Sequence, residues 1–344
     1  MIDGIATSLD APGIEGVIER HRTFWQRGHA ERPLTASPRR LAEEHPVAGE
    51  GHELTPVAVL RGIRAGLDEL EQSYARHGVL DGDLFRCIAP PGAPPWMPAL
   101  LGCRLLRASP SSRHLRIEPL AGGWEALQKV ELDVAWHEAL LEGMELLAAR
   151  FGGRYPIAAW HERGPVDMLA QALGEGEMAL RVTDDPAEVR RVPERLTGLW
   201  VEVGREVLDR LPPFAGGTFQ RYGLWAPGRL VAFTTDASAL LSPGLYRELF
   251  LPFDRQIAAA FDHVLIHTHS ASAQHYAAWA EIPGAALHIT DDPVAPVSWQ
   301  ELLRICARLQ ETGHPLLLQV QEKHMQDAWE QLSPRGLIVR PYVS

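Results

Sequence analysis

The sequence contains little cysteine: only Cys87, Cys103 and Cys306 occur, far apart, in a chain of 344 residues. An odd number of widely spaced cysteines does not provide the paired disulfide framework of a small secreted protein. The first residues also lack the charged and then apolar pattern of a secretory signal. Together these absences predict reduced thiols and a cytoplasmic location.

Positive charge is also scarce, with 33 Lys and Arg against 44 Asp and Glu and a formal net charge of −11. A nucleic-acid-binding surface needs clustered Lys and Arg, so this balance argues against a nucleic-acid partner. No apolar run approaches the roughly eighteen residues that a membrane-spanning helix needs. We therefore expect a small-molecule substrate and no membrane partner, while the composition leaves the oligomeric state open.

After residue 130 the chain alternates between helical patterns and short apolar strands. The predicted strands read YPIAAW, LVAFTT, HVLIHTH, AALHITDD, PLLLQVQ and GLIVRPYV. Nearly continuous apolar strands separated by helices indicate a parallel sheet that is covered on both faces. Because polar residues follow several of these strands, the pattern favours an α/β fold of the (β/α)8 TIM barrel type over a doubly wound sheet.

Two further segments complete the predicted architecture. Residues 1–30 form an N-terminal helical extension, with Ile14, Val17, Ile18 and Trp25 at helical spacing. Residues 88–98 are rich in proline, which a regular helix does not accommodate, so they predict a loop or lid that ends in a short helix. Because no convincing linker interrupts the chain, we expect a single barrel domain over residues 1–344.

The strand HVLIHTH ends in His267 and His269, which are two residues apart. On a strand such residues share one face, while Thr268 faces the other side. Two imidazoles that project together suit one metal ion, two proton donors on one substrate, or a polar strand end that only makes hydrogen bonds. If they bind a metal, Glu322 is the first choice for a third ligand and His288 the second, which predicts zinc or another divalent metal such as iron or manganese.

Other polar and aromatic residues near the predicted strand ends are candidates for the same site. Asp236 follows LVAFTT and is either a catalytic residue or the N-cap of the next turn. His288 and Glu322 are the other catalytic candidates. The substrate-binding candidates are Trp160, His161, Trp225, Gln319 and Gln321.

Two stretches, RGPVDMLAQALGEGEMALRVTDDPAEV and TTDASALLSPGLYRELFLPFDRQI, together resemble the uroporphyrinogen decarboxylase superfamily, which includes the methylcobamide:thiol methyltransferases. The first has the Gly-Pro helix start, then Gly-Glu and Asp-Asp-Pro; the second has Ser-Pro, an aromatic residue and Phe-Leu-Pro. The resemblance extends from about residue 95 to the end and implies a (β/α)8 barrel. It also implies that His267 fills the histidine position of the methyltransferases' zinc motif and His269 its cysteine position.

The chain departs from both branches of this family. The arginine-rich segment of the decarboxylases reads RPLTASPRR here, so only Arg32, Arg39 and Arg40 replace its arginines. The family's substrate aspartate is absent, and Ala172 stands where the family has a tyrosine. The late cysteine of the methyltransferases is missing from GLIVRPYVS. We therefore do not expect turnover of uroporphyrinogen, and we expect a harder, less thiolate-like metal site.

The sequence thus predicts a divergent enzyme of this superfamily that acts on a small or medium organic substrate. Methyl transfer is the most concrete version, with a corrinoid carried by a partner protein. The alternatives are a metal-independent decarboxylase of a tetrapyrrole-like or other carboxylate substrate, and a non-catalytic module that binds a corrinoid or a tetrapyrrole.

Overall fold

The computed structural model describes residues 6–40, 52–107 and 115–343. Its strands are β1 (Leu34–Thr35), β2 (Arg39–Arg40), β3 (His52–Glu53), β4 (Leu80–Asp81), β5 (Leu84–Phe85), β6 (Arg104–Arg107), β7 (Leu115–Glu118), β8 (His161–Arg163), β9 (Gly217–Phe219), β10 (Trp225–Pro227), β11 (Leu230–Thr234), β12 (His263–His269), β13 (Ala286–Thr290), β14 (Leu316–Gln321) and β15 (Leu337–Val343).

The α-helices are α1 (Ile14–Gln26), α2 (Pro56–His77), α3 (Trp96–Leu100), α4 (Gly123–Leu127), α5 (Val134–Phe151), α6 (Pro165–Leu173), α7 (Glu175–Asp184), α8 (Pro186–Val189), α9 (Arg191–Arg210), α10 (Pro243–Leu249), α11 (Leu251–Ala259), α12 (Tyr276–Trp279), α13 (Trp299–Glu311) and α14 (Met325–Gln331). Three 3-10 helices occupy Asp236–Leu240, Ser270–His275 and Glu322–His324. Among these helices, none combines the length and the apolarity needed to cross a bilayer.

The central sheet is parallel and follows the order β1-β15-β14-β13-β12-β11-β8, with β2 also paired to β15. Helices separate its successive long strands along the chain, as a parallel sheet requires. This arrangement confirms a mixed α/β fold that resembles a TIM barrel.

The predicted closed eight-stranded barrel is confirmed only as a barrel-like sheet, because the described residues do not close it with a continuous eighth ladder. The two edges of the sheet meet through residues 83–88. Asp83 N donates to Thr35 O at 2.8 Å, Ile88 N to Pro156 O at 2.8 Å, and Ala158 N to Ile88 O at 2.7 Å. The prolines that follow Ile88 have no N–H to continue the pairing. The predicted strand YPIAAW, residues 155–160, therefore makes only isolated bridges, and the ladder with β11 begins one residue later, at His161.

The two faces of the sheet carry separate apolar clusters, because neighbouring strand residues point to opposite sides. The interior cluster contains Phe24, Trp25, Leu34, Leu230, Ala232, Leu265, Ala286, Leu317 and Ile338. The cluster under the helices contains Val231, Phe233, Ile266, Leu287, Leu318 and Val339. This second cluster reaches from Leu9 to Val339, as a single domain requires, although the boundaries 1–344 stay a prediction.

Helix α1 places the N-terminal extension against the interior of the sheet. Phe24 and Trp25 belong to the interior cluster, and Trp25 Nε1 donates to Trp225 O at 2.8 Å. Residues 1–5 of the predicted 1–30 extension lie outside the described residues.

Proline residues lie in two helical segments of the chain and limit the length of each helix. The Pro-rich segment ends in the short helix α3, as expected, but the antiparallel pair β6–β7 that follows was not predicted. The helical segment between β11 and β12 is divided at Phe250 into α10 and α11. Pro252 occupies the first turn of α11, where its missing N–H is tolerated, whereas it would interrupt a continuous helix.

Candidate active site

The candidate site lies where β11, β12 and β13 end. Parallel pairing sets Thr234 beside His267 and His267 beside His288. Leu265 and Ala286, two residues earlier on β12 and β13, belong to the interior cluster. Because side chains two residues apart share a face, the two histidines project into the interior of the barrel-like sheet.

His267 and His269 share this interior face, as their spacing predicted. Their ring centroids are 5.0 Å apart. Thr268 lies between them on the opposite face and is fully buried. The two imidazoles therefore form a pair by backbone geometry alone.

Asp236 completes a group that has the composition of a metal site. One potential ligand atom from each of Asp236, His267 and His269 lies within 4.8 Å of the other two. Asp236 Oδ1 is 3.9 Å from His269 Nε2, and in the described part of the chain this buried oxygen has no hydrogen-bond partner. The other oxygen, Oδ2, accepts from Arg163 Nη1 at 3.0 Å. One carboxylate oxygen is thus neutralised and the other is left to face the imidazoles.

Asp292 orients the ring of His269. Asp292 Oδ1 lies 2.7 Å from His269 Nδ1, and Asp292 Oδ2 accepts from the hydroxyl of Ser270 at 3.0 Å. Burial lowers the pKa of His269, but the hydrogen bond to Asp292 and the charge of Asp236 outweigh it, so the pKa is raised. Since Nδ1–H is directed at Asp292, Nε2 is the atom turned towards Asp236, an arrangement common for metal-binding histidines.

His267 is held by His288. Their Nδ1 atoms are 3.0 Å apart, and His288 Nε2 is buried without a partner among the described residues. Burial, followed by neighbouring positive groups, lowers the pKa of both rings well below 6.5, so both are neutral. When His267 Nδ1–H donates to His288, the Nε2 atom of His267 carries a free lone pair.

Tyr222 packs against three of the interior imidazoles. Its ring stacks on His267 with centroids 5.5 Å apart, meets the edge of His288 at 4.0 Å, and lies 5.1 Å from His161. Burial raises the pKa of Tyr222 to about 12, so its phenol stays neutral. The tyrosine therefore fixes the rings without adding charge.

Arg163 and Asp167 were not identified from the sequence. Asp167 accepts from Ala237 N at 2.7 Å and from the hydroxyl of Thr234, so Asp167 holds the turn that begins at Asp236. Thr235 occupies the N-cap position of this turn, and among the described residues the two oxygens of Asp236 accept from Arg163 or from no group, so the capping interpretation does not hold. Burial, followed by the charge of Asp236, raises the pKa of Asp167 to about 6. The spacing of Arg163, two residues after His161, was the available signal.

The residues present fit a divalent cation. Two imidazoles and a carboxylate are a common set of three protein ligands in catalytic zinc sites, which keep a further position open. The buried, unpaired Oδ1 of Asp236 supports this fit, since an unsatisfied buried acceptor is costly.

Glu322, the first choice for a third ligand, is not in this group. It is exposed at the start of a 3-10 helix beyond β14. Gln321 lies just before it and donates from Nε2 to Asp291 Oδ2 at 3.3 Å. Asp291 Oδ2 also lies 2.7 Å from His324 Nδ1. Gln319 is half-buried and pairs in register with Thr290, on the interior face.

The aromatic candidates occupy three different places. His161 lies on the interior face beside Tyr222. Trp160 faces the helices, with its ring 5.9 Å from that of Trp200. Trp225 is fully buried and its indole Nε1 donates to Phe214 O at 2.9 Å, so it belongs to the packing near α1 and not to the group around Asp236.

Comparisons with known proteins add little to this geometry. No protein-family model matches the chain. No curated protein matches it either. A solved structure of a methyltransferase from Methanosarcina mazei is similar over 95% of this chain and 93% of its own, with a TM-score of 0.49 and 11% sequence identity. At these values the similarity supports no conclusion about the site.

Proposed function

We propose that the chain is an enzyme that transfers a methyl group to a small or medium organic acceptor, and that Asp236, His267 and His269 hold a divalent cation, zinc in the first place. The single observation that supports the site is the convergence of these three side chains within 4.8 Å of one another. A bound cation of this kind lowers the pKa of an acceptor group and so activates it at neutral pH.

The surrounding residues prepare the three ligands for this role. Asp292 fixes the tautomer of His269, and His288 fixes the ring of His267. Ligands must be deprotonated, and burial already keeps His267 neutral. Arg163 holds the second oxygen of Asp236, so the carboxylate has one defined oxygen to offer.

The methyl donor would come from outside the group around Asp236. A corrinoid on a partner protein remains the donor that the sequence resemblance implies. The same pocket also supports a metal-independent decarboxylase, because the half-buried Arg163 guanidinium is a group that pairs with carboxylates. A non-catalytic corrinoid- or tetrapyrrole-binding module is the third outcome.

Metal content tests the site directly. We expect one equivalent of zinc in the purified protein by elemental analysis, or on titration of chelated protein. His267→Ala, His269→Ala and Asp236→Asn should each reduce it to near zero. Asp292→Asn should keep the metal but lower its affinity about 10- to 100-fold, as loss of an outer hydrogen bond does.

Two matched variants serve as controls. Thr268→Val changes the residue between the histidines but faces the helices, and Glu322→Gln removes an exposed carboxylate beyond β14. Both should bind metal like the native protein. If zinc, manganese, iron and cobalt all fail to bind stoichiometrically, the metal site does not exist and the metal-independent reaction takes its place.

A further inference from the structure

A cavity of about 320 Å³ lies beside the candidate active site, at the seam where the two edges of the sheet meet. We name it the seam cavity; it lies between residues 87–96, residues 158–162, the helices α5 and α9, and Arg221. We propose that the seam cavity binds a small amphipathic carboxylate, with the carboxylate at Arg221 and His161 and the apolar part between α5 and the Pro-rich segment. This site is independent of the proposed metal.

The interrupted sheet explains why a cavity exists here. Ile88 pairs with Ile157 and Phe219 with Ala158 only as isolated bridges, not as a continuous ladder. The prolines after Ile88 end the pairing and lead the chain away from the sheet. A gap therefore remains between the interior and the helix layer.

The polar end of the cavity has hydrogen-bonding groups without partners. Both ring nitrogens of His161 are buried and make no hydrogen bond to any described residue. Burial and then the charge of Arg221 lower the pKa of this ring, so it is neutral and offers one donor and one acceptor. A buried polar atom left unpaired destabilises the folded protein, and a suitable ligand group that pairs with it recovers that cost. Arg221 is exposed and adds a positive charge at the same end.

Trp160 supplies a second unpaired donor. The residue is 3% exposed, and within the described ranges its indole Nε1 has no acceptor. The apolar lining on this side comes from Leu140, Met144 and Val207. The cavity therefore combines unpaired donors with an apolar wall, which matches a ligand that has an anionic head and an apolar body.

Glu162 argues against a cationic ligand. It is the acidic residue in the lining, and both of its oxygens already accept backbone hydrogens, from Trp96 N at 3.0 Å and Met97 N at 3.2 Å. Its carboxylate holds the start of α3 and thereby fixes the Pro-rich segment over the cavity. A volume of about 320 Å³ is at the small end of ligand sites, so the ligand is a short-chain acid rather than a long lipid.

Hexanoate, 1-hexanol and hexylamine are matched probes that differ only in the head group. Binding is measured by calorimetry and by intrinsic tryptophan fluorescence, to which Trp96 and Trp160 of the lining contribute, with and without a chelator. We expect hexanoate to bind at least tenfold more tightly than hexanol, and hexylamine to bind worst. Because the chelator removes any bound metal, binding that persists in its presence separates this inference from the proposed metal site.

Two variants test the two ends of the cavity. Arg221→Gln should weaken hexanoate binding at least tenfold, since a hydrogen bond to a charged group contributes that much, and leave hexanol unchanged. Met144→Trp fills the apolar end and should abolish binding of both. Arg229→Gln, at an exposed arginine paired with Asp209, is the matched control and should change neither.

The exposed Arg221 keeps the test decisive if Met144→Trp does not fold, because a change at the surface leaves the core intact. The inference is overturned if hexanoate does not bind at millimolar concentration. It is equally overturned if Arg221→Gln weakens hexanoate and hexanol alike, or weakens neither.

Discussion

A buried carboxylate behind β12 makes the stability of the protein depend on pH in an unusual direction. Asp254 is fully buried, and its Oδ2 accepts from the hydroxyl of Tyr246 and from Trp279 Nε1 at 3.3 Å. Its Oδ1 is buried and has no partner in the described chain. Burial raises the pKa of Asp254 from its ordinary 3.8 to about 7, although the two donors oppose this.

The sign follows from proton binding in the two states. Between about pH 4 and pH 7 the folded state keeps a proton on Asp254 that the unfolded state has lost. The free energy of unfolding therefore falls as pH rises through this range and is constant above it. A pKa displaced from 3.8 to about 7 corresponds to roughly 4 kcal/mol.

Asp254→Asn removes the ionisable group while its carbonyl oxygen still accepts from Tyr246 and Trp279. At pH 8 we expect the variant to be more stable than the native protein by up to roughly 4 kcal/mol, or about 5 °C in Tm for a chain of this length. At pH 4.5 the two should agree within about 1 kcal/mol.

The assay is urea unfolding followed by circular dichroism at pH 4.5, 6 and 8. Taking the difference between variant and native protein cancels the other titrating groups. Asp184→Asn, at an exposed aspartate, is the control and should show no such pH dependence. A stability difference for Asp254→Asn that is the same at pH 4.5 and pH 8 would falsify the raised pKa.

Two further changes test how the site is supported. Glu162→Gln should accelerate the amide hydrogen exchange of Trp96 and Met97 at least tenfold and lower the free energy of unfolding by about 1–2 kcal/mol, because an amide offers one acceptor oxygen where the carboxylate offered two. Exchange in β12 should not change. If residues 88–100 exchange at the same rate in the variant and the native protein, Glu162 does not anchor them. Gly217→Ala should lower the free energy of unfolding in urea by roughly 3 kcal/mol or more, since a Cβ there would lie 2.0 Å from Ala226 O. Gly198→Ala is the matched control in α9, where a Cβ would enter open space, and it should raise the free energy of unfolding by about 0.5–1 kcal/mol.

The strands of the central sheet were the most predictable part of the fold. The apolar run of β12 ends at His269, as predicted, because a strand buried on both faces leaves a continuous apolar signal in the sequence. The seam was not predictable in the same way. Whether residues 83–88 pair as a ladder or through single bonds depends on how the sheet edges meet, and the sequence pattern does not contain that information.

Within the candidate site, local geometry was predictable and the assembly across strands was not. The period of two placed His267 and His269 together correctly. Glu322 was predicted as the third ligand and Asp236 as a catalytic residue or an N-cap, because carboxylates at strand ends look alike in sequence. In the structure Asp236 follows β11, which pairs directly with β12, whereas Glu322 follows β14 and turns into an exposed 3-10 helix. Adjacency in the sheet decides between them.

The two stretches that carry the family resemblance mostly perform structural work. Gly164 lets the chain pass Thr234, where a Cβ would lie 2.7 Å from the carbonyl oxygen. Asp167 holds the turn at Asp236, and Ser242 caps α10 by accepting from Leu245 N at 3.3 Å. Residues of this kind stabilise turns and close packing, so the resemblance in these stretches concerns the fold more than a reaction.

The proposed ligands come from two parts of the chain: Asp236 lies near the start of the second stretch, whereas His267 and His269 follow that stretch on β12, where the resemblance places a cysteine at position 269. A site of two imidazoles and one carboxylate gives less negative charge to a cation than a site with two thiolates. Arg163, 3.0 Å from Asp236, reduces that negative charge further. A cation held here is therefore more electrophilic, and it polarises a bound acceptor more strongly than a thiolate-rich site does. We accordingly expect the acceptor to bind through oxygen or nitrogen in preference to sulfur, which competition between a thiol and an alcohol or amine of equal size for the metal-loaded protein will measure.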